Sequence, residues 1–141
     1  MYGSIQDMVL RFGEIEMLRL STADGDVPDT ILPERIEGAL KDASDLIDSY
    51  LRVRYRTPLI RVPVAIVRAS CILARFDLAH GTAPDPSDQA TKARDEVIAW
   101  LKRLADGAAS LEDENQPGTA SANVTFHDRE RIFSDKSLRG W

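Results

Sequence analysis

The chain has a single cysteine, Cys71, among 141 residues. It therefore cannot close an internal disulfide, and a packed core must supply its stability; a lone thiol also fits a reducing cytosolic setting. No apolar run approaches the roughly 20 residues that a membrane-spanning helix needs, so no membrane partner is expected. The opening Met1-Tyr2-Gly3-Ser4-Ile5 lacks the basic and hydrophobic stretches of a secretory signal. The two histidines, His80 and His127, sit in separate segments with no Cys or carboxylate cluster at ligand spacing, so no metal is expected. Gly-rich phosphate loops, a nucleophile elbow and a His-Glu-x-x-His pair are missing too. No heptad persists and no internal repeat is evident. The formal charge of −5 is mild and argues against wholesale attraction to nucleic acid or anionic lipid. The resulting expectation is a protein with no cofactor and no enzymatic activity.

What remains is a strong helical pattern in a chain of single-domain length. Ser4 is placed to cap a short helix with Ile5, Met8, Val9 and Phe12 on one face, and Gly13 ends it. Residues 14–20 read as a second short helix, with Ile15, Leu18 and Met17 inward. A loop is expected from Ser21 to Leu32, around Asp24-Gly25-Asp26 and Pro28. Pro33 suits the first position of a long helix, with Glu34 and Glu37 at its positive end. Ile36, Leu40, Ala43, Ile47, Tyr50 and Leu51 give that helix a core stripe at steps of three and four. Pro63 starts the next, with Ile66, Val67, Ser70, Leu73, Ala74 and Asp77 near helical spacing and Gly81 as a stop. Cys71 reads there as a small core residue, since nothing nearby favours a thiolate. Ser87 or Asp88 caps the last long helix, whose stripe is Ala90, Val97, Ile98, Leu101, Leu104 and Ala105, with Trp100 beside it and Gly107 as its end. The fold class is all-α: a small bundle of three longer helices plus short N-terminal helices, over residues 1–107, followed by an extended C-terminal arm, residues 108–141.

The run 39–63 joins an amphipathic helix to an Arg/Tyr-rich, Pro-punctuated turn. Asp48, Tyr50, Arg54, Tyr55 and Pro58 read as structural residues of this junction. Asp48 is set four residues before Arg52, the spacing of a helical ion pair. Arg54 is placed to reach back to Asp48 or Asp45. From residue 52 to residue 75 every charge is an arginine: Arg52, Arg54, Arg56, Arg61, Arg68 and Arg75. These either pair with carboxylates of neighbouring helices or form a surface for an acidic partner, with Arg52, Arg56 and Arg61 as the partner-binding candidates. Asp42, Asp45 and Asp48 share a broad polar face, which reads as a solvated face rather than an acid–base site.

Residues 108–123 are rich in Ala, Ser, Glu, Gly and Asn and do not encode a core of their own. Beyond them Val124, Phe126, Ile132, Phe133, Leu138 and Trp141 stand as apolar anchors on a polar string. Such anchors imply that the arm binds something, and Val124-Thr125-Phe126 has the alternation of a strand added to a neighbour's edge.

A set of residues then carries a resemblance over nearly the whole chain. It comprises Ala39-x-x-Asp42-Ala43, Ile47-Asp48-x-Tyr50-Leu51, Arg54-Tyr55-x-x-Pro58-Leu59, Val62-Pro63, Ala74-Arg75-Phe76-x-Leu78, Val97-Ile98-x-Trp100-Leu101 and Ala105-x-Gly107. Tyr2, the Arg11-Phe12-Gly13 turn, Arg131-Ile132-Phe133-Ser134 and Leu138-x-Gly140-Trp141 complete it. In these the chain resembles the Mu-like bacteriophage neck protein family, similar in build to the helical head–tail connector (adaptor) proteins of long-tailed phages. The resemblance implies a virion protein of the neck, assembled in the bacterial host cytoplasm. It implies a ring, typically of twelve copies, docked under the portal protein, with genomic DNA passing through the lumen without sequence-specific binding. Its partners would be the portal, neighbouring copies of itself, and the next neck or tail protein (a stopper or tail terminator). The arm would reach the portal or a neighbouring subunit. The alternative is a DNA-binding or packaging-accessory module that uses residues 52–75, although the helix after Pro63 is mostly apolar on the face a reader would expose.

Overall fold

In the computed structural model, which describes residues 1–22, 26, 29–80 and 86–111, five helices and no strand appear. The chain is all-α. A first helix, α1 (Ile5–Phe12), starts at Ser4, whose hydroxyl accepts the Asp7 N–H while the Asp7 carboxylate accepts the Ser4 N–H. This reciprocal box satisfies two backbone donors that a helix start leaves unpaired. Gly13, at φ 90°, separates α1 from α2 (Glu14–Ser21). Pro33 opens α3 (Pro33–Leu51). Pro63 is the residue just before α4 (Val64–Ala79) rather than its first residue. The Ser87 hydroxyl caps α5 (Asp88–Asp106), which ends on Gly107 in the left-handed region at φ 84°.

The helices α3 and α4 form the centre. Both α1 and α2 touch α3 and α4 but not α5, while α5 touches α3 and α4. The described residues thus make three layers, and α4 meets every other helix. The core is one apolar cluster. Met8 and Met17 enter it from the N-terminal layer, Ile36, Leu40, Ile47 and Leu51 from α3, Ile66 and Leu73 from α4, and Leu101 and Leu104 from α5. Full burial of each such side chain contributes about 1.5–3 kcal/mol, which is what holds the layers together.

Three expectations need correction. Ile15 is 84% exposed rather than inward, because the short α2 turns Met17 and Leu20 to the core instead. Ser21 belongs to α2, not to the following loop: it is fully buried, donates to the Leu18 carbonyl at 3.2 Å and accepts the Leu32 N–H at 3.1 Å. Asp77 lies exposed rather than on the core stripe of α4. Cys71 is fully buried, and burial pushes its thiol up to about 11, so it stays protonated as a core group should. His80 stacks on Phe76, with ring centroids 5.6 Å apart.

Candidate functional site

The turn between α3 and α4 is pinned from two sides by polar side chains. On one side is Tyr2, buried at the N-terminus. Its N–H donates to the Ser44 hydroxyl at 2.9 Å, its phenol donates to the Asp48 carboxylate, and the same phenol oxygen accepts the Leu59 N–H at 2.9 Å. Burial, reinforced by the bond to Asp48, pushes the Tyr2 phenol up to about 12. On the other side are Arg54 and Tyr55. The Arg54 guanidinium donates to the Leu104 carbonyl at 3.0 Å and the Ala109 carbonyl at 3.2 Å, and lies 5.6 Å from the centroid of the Tyr55 ring. The Tyr55 hydroxyl accepts the Leu111 N–H at 3.0 Å. The Leu104 carbonyl, in the last turn of α5, thus meets a cation, which also suits the negative end of the helix.

The junction residues therefore take partners that sequence spacing did not suggest. Asp48 accepts from Tyr2 and makes no ion pair with Arg52; Arg54 does not reach Asp48 or Asp45 but crosses to α5. Tyr50 is half-buried and packs on the core, while Pro58 is exposed and follows a cis peptide bond from Thr57. Asp42 and Asp45 are exposed. Tyr2 is the junction residue that the sequence reading missed. Its signal was an aromatic residue directly before Gly3, where an added Cβ would come within 3.0 Å of Leu40 Cδ2 and 3.3 Å of Cys71 Sγ. The N-terminus is laid against the core there, which is what brings Tyr2 to the turn.

The six arginines of residues 52–75 divide into two groups. Arg54 is used as above. Arg75 pairs with Glu16 at 2.7 Å and lies 4.5 Å from the Phe12 ring centroid, tying α4 to the N-terminal layer. The side chains of Arg52, Arg56, Arg61 and Arg68 are exposed, with no hydrogen bond or ion pair among the described residues. Three large apolar side chains are exposed beside them: Val53 at 72%, Ile60 at 100% and Val64 at 67%. A pinned backbone thus presents free guanidinium groups next to uncovered aliphatic surface, a combination of side chains common at protein–protein contacts. Among the described residues no group of three or more His, Cys, Asp or Glu is arranged to hold a metal, and no helix is long and apolar enough to cross a membrane. The anchors Val124, Phe126, Ile132, Phe133, Leu138 and Trp141, and also His127, lie outside the described residues.

A family model described as Bacteriophage Mu, Gp36 matches residues 2–127. The chain belongs to that family. The match takes in Tyr2 and the whole α3–α4 turn. Gene product J of Escherichia phage Mu is 30% identical over 139 residues, covering 96% of this chain and 89% of that protein. The Mu-like prophage FluMu protein gp36 of Haemophilus influenzae is 42% identical over 77 residues, covering 55% of this chain and 52% of that protein. The Mu-like part of the resemblance thus stands on the Gp36 family itself.

Proposed function

We propose that this Gp36-family chain is a structural protein of the virion: a head–tail connector, or adaptor, that forms a ring beneath the portal in the phage neck, with DNA passing through the lumen. The observation that carries this reading is the pinned α3–α4 turn. Three uncommitted arginines, Arg52, Arg56 and Arg61, and two exposed aliphatic side chains, Val53 and Ile60, sit on a backbone held by Tyr2, Arg54 and Tyr55, with Val64 and Arg68 following on α4. Rigid presentation lowers the ordering cost of a protein–protein contact, and guanidinium groups favour acidic partner surfaces. Membership of a phage family adds the setting in which such a contact is needed. The portal and neighbouring copies are the partners assigned to this surface and to the C-terminal arm, with the next neck or tail protein below. The reading assigns no reaction to the chain; of the three aspartates on α3, Asp48 is engaged by Tyr2 and the other two face solvent.

The test is electron microscopy of the purified protein mixed with portal rings of its phage, alongside intact particles. A closed collar under the portal is the expected result. Particles that lack the protein, together with portal rings that stay bare, would remove the connector reading.

The DNA-binding alternative has the four free arginines in its favour. Against it, α4 exposes only Val64, Ala65, Arg68 and Asp77, with a single arginine among them, so it offers no basic helix face to enter a groove of duplex DNA. A mobility shift with duplex DNA that appears at low salt and fades steeply as salt rises would favour it over the connector.

A further inference from the structure

Two uncovered apolar features lie on separate parts of this chain. The first is a groove of about 380 Å³ between α4 and α5. Val64, Ala65, Ala69, Ile72, Val97 and Trp100 give it an apolar lining, and Arg68 and Glu96 supply its charges. The second is the α1–α2 corner, where Leu10 is 75% and Ile15 84% exposed on either side of Gly13. Arg11 and Glu14 lie immediately beside them and are both exposed. Each feature thus carries aliphatic surface flanked by one positive and one negative charge. Neither α1 nor α2 touches α5, which forms one wall of the groove, so the corner of a chain is held away from its own groove.

We propose that the α4–α5 groove receives the α1–α2 corner of a second copy of the chain. Leu10 and Ile15 enter the groove against Trp100 and Val64, Glu14 meets Arg68, and Arg11 meets Glu96. Two different patches meet in this contact, so it is head-to-tail and propagates from copy to copy, forming a ring where the rotation between copies closes. It deepens the connector reading and rests on that reading for the closure.

The test is cross-linking of the full chain carrying both Ile15→Cys and Val64→Cys, with a short bismaleimide, in concentrated solution and within intact phage particles. Cys71 is fully buried and does not compete. The expected result is a ladder of covalent multimers from the double variant and monomer alone from either single variant. Adding Arg68→Glu or Glu14→Arg separately should lower the ladder yield about tenfold, and adding both should restore it. No ladder in either sample overturns the contact. Dimers from Ile15→Cys alone mean like-with-like pairing and overturn it too, as does a combined charge reversal that stays as poor as the single ones. A ladder from particles in which the protein is not at the neck keeps this contact and removes the connector reading; neck rings without a ladder do the reverse.

Discussion

Between α1 and α2 the chain passes from one helix to the next through Gly13 alone, whereas between α3 and α4 it takes residues 52–63. The first corner is a backbone device. The Gly13 N–H donates to Val9, its carbonyl accepts from Met17, and φ is 90°; a Cβ there would meet nothing within 4 Å. The second corner is a side-chain device, stitched by Tyr2, Arg54 and Tyr55 to segments more than forty residues away. A glycine would have sufficed to change direction. The longer turn costs more chain entropy to order, and its stitching holds in place a backbone that displays Arg52, Arg56, Arg61, Val53 and Ile60.

The contrast can be broken most severely with alkali. Tyr2 holds its proton more tightly in the folded chain than in the unfolded one, from 10.0 up to about 12. Its contribution is fully present below pH 10 and is lost as pH rises from 10 towards 12. Urea melts across that window should show a loss on the order of 2–3 kcal/mol that Tyr2→Phe no longer shows. At pH 7 the same Tyr2→Phe change leaves the Leu59 N–H and the Asp48 carboxylate without their phenol partner and should cost about 2 kcal/mol in the same melts. Arg54→Ala frees the Leu104 and Ala109 carbonyls. It should cost about 1–1.5 kcal/mol, with faster amide exchange at Leu111 as the local readout. Gly13→Ala tests the other corner. The strain is of backbone alone, so about 1 kcal/mol is expected from thermal melts, with no change in exchange at the α3–α4 turn. The smallest effect sharpens the comparison: Arg52→Glu, Arg56→Glu and Arg61→Glu should each leave stability within about 0.5 kcal/mol, while collar formation on portal rings falls.

Helix starts and ends were the legible part of this fold, because they are decided locally. Ser4, Pro33, Ser87 and Gly107 each do a backbone job within a turn of their own position. The long stripes on α3 and α5 were legible for the same reason: nineteen residues at a period of 3.6 leave one consistent face. In α2, by contrast, eight residues hold Ile15, Met17, Leu18 and Leu20, which together cover most of the helix circumference. Packing against α3 and α4 made the choice, and Ile15 went outward. The partners of the α3–α4 turn were hidden more deeply. Helical spacing offers Asp48 only Arg52, and the nearest acids behind Arg54 along the chain are Asp48 and Asp45, but the fold brings Tyr2 to Asp48 from 46 residues away and the Leu104 carbonyl to Arg54 from 50. A sequence lists neighbours along a helix; it does not list which chain end is laid across it. The surface arginines were legible as a group, and only the structure separated Arg54 and Arg75 from the four left free.

The bonds from Tyr55 to Leu111 and from Arg54 to Ala109 also have a mechanical meaning. They grip the chain just past the end of α5, as a clamp grips a cable where it leaves a housing. A pull on whatever follows residue 111 first loads those side-chain bonds, and through them α3, instead of peeling α5 open from its last turn. Tension is thereby shared between two helices. In the connector proposed above, that is where strain relief belongs.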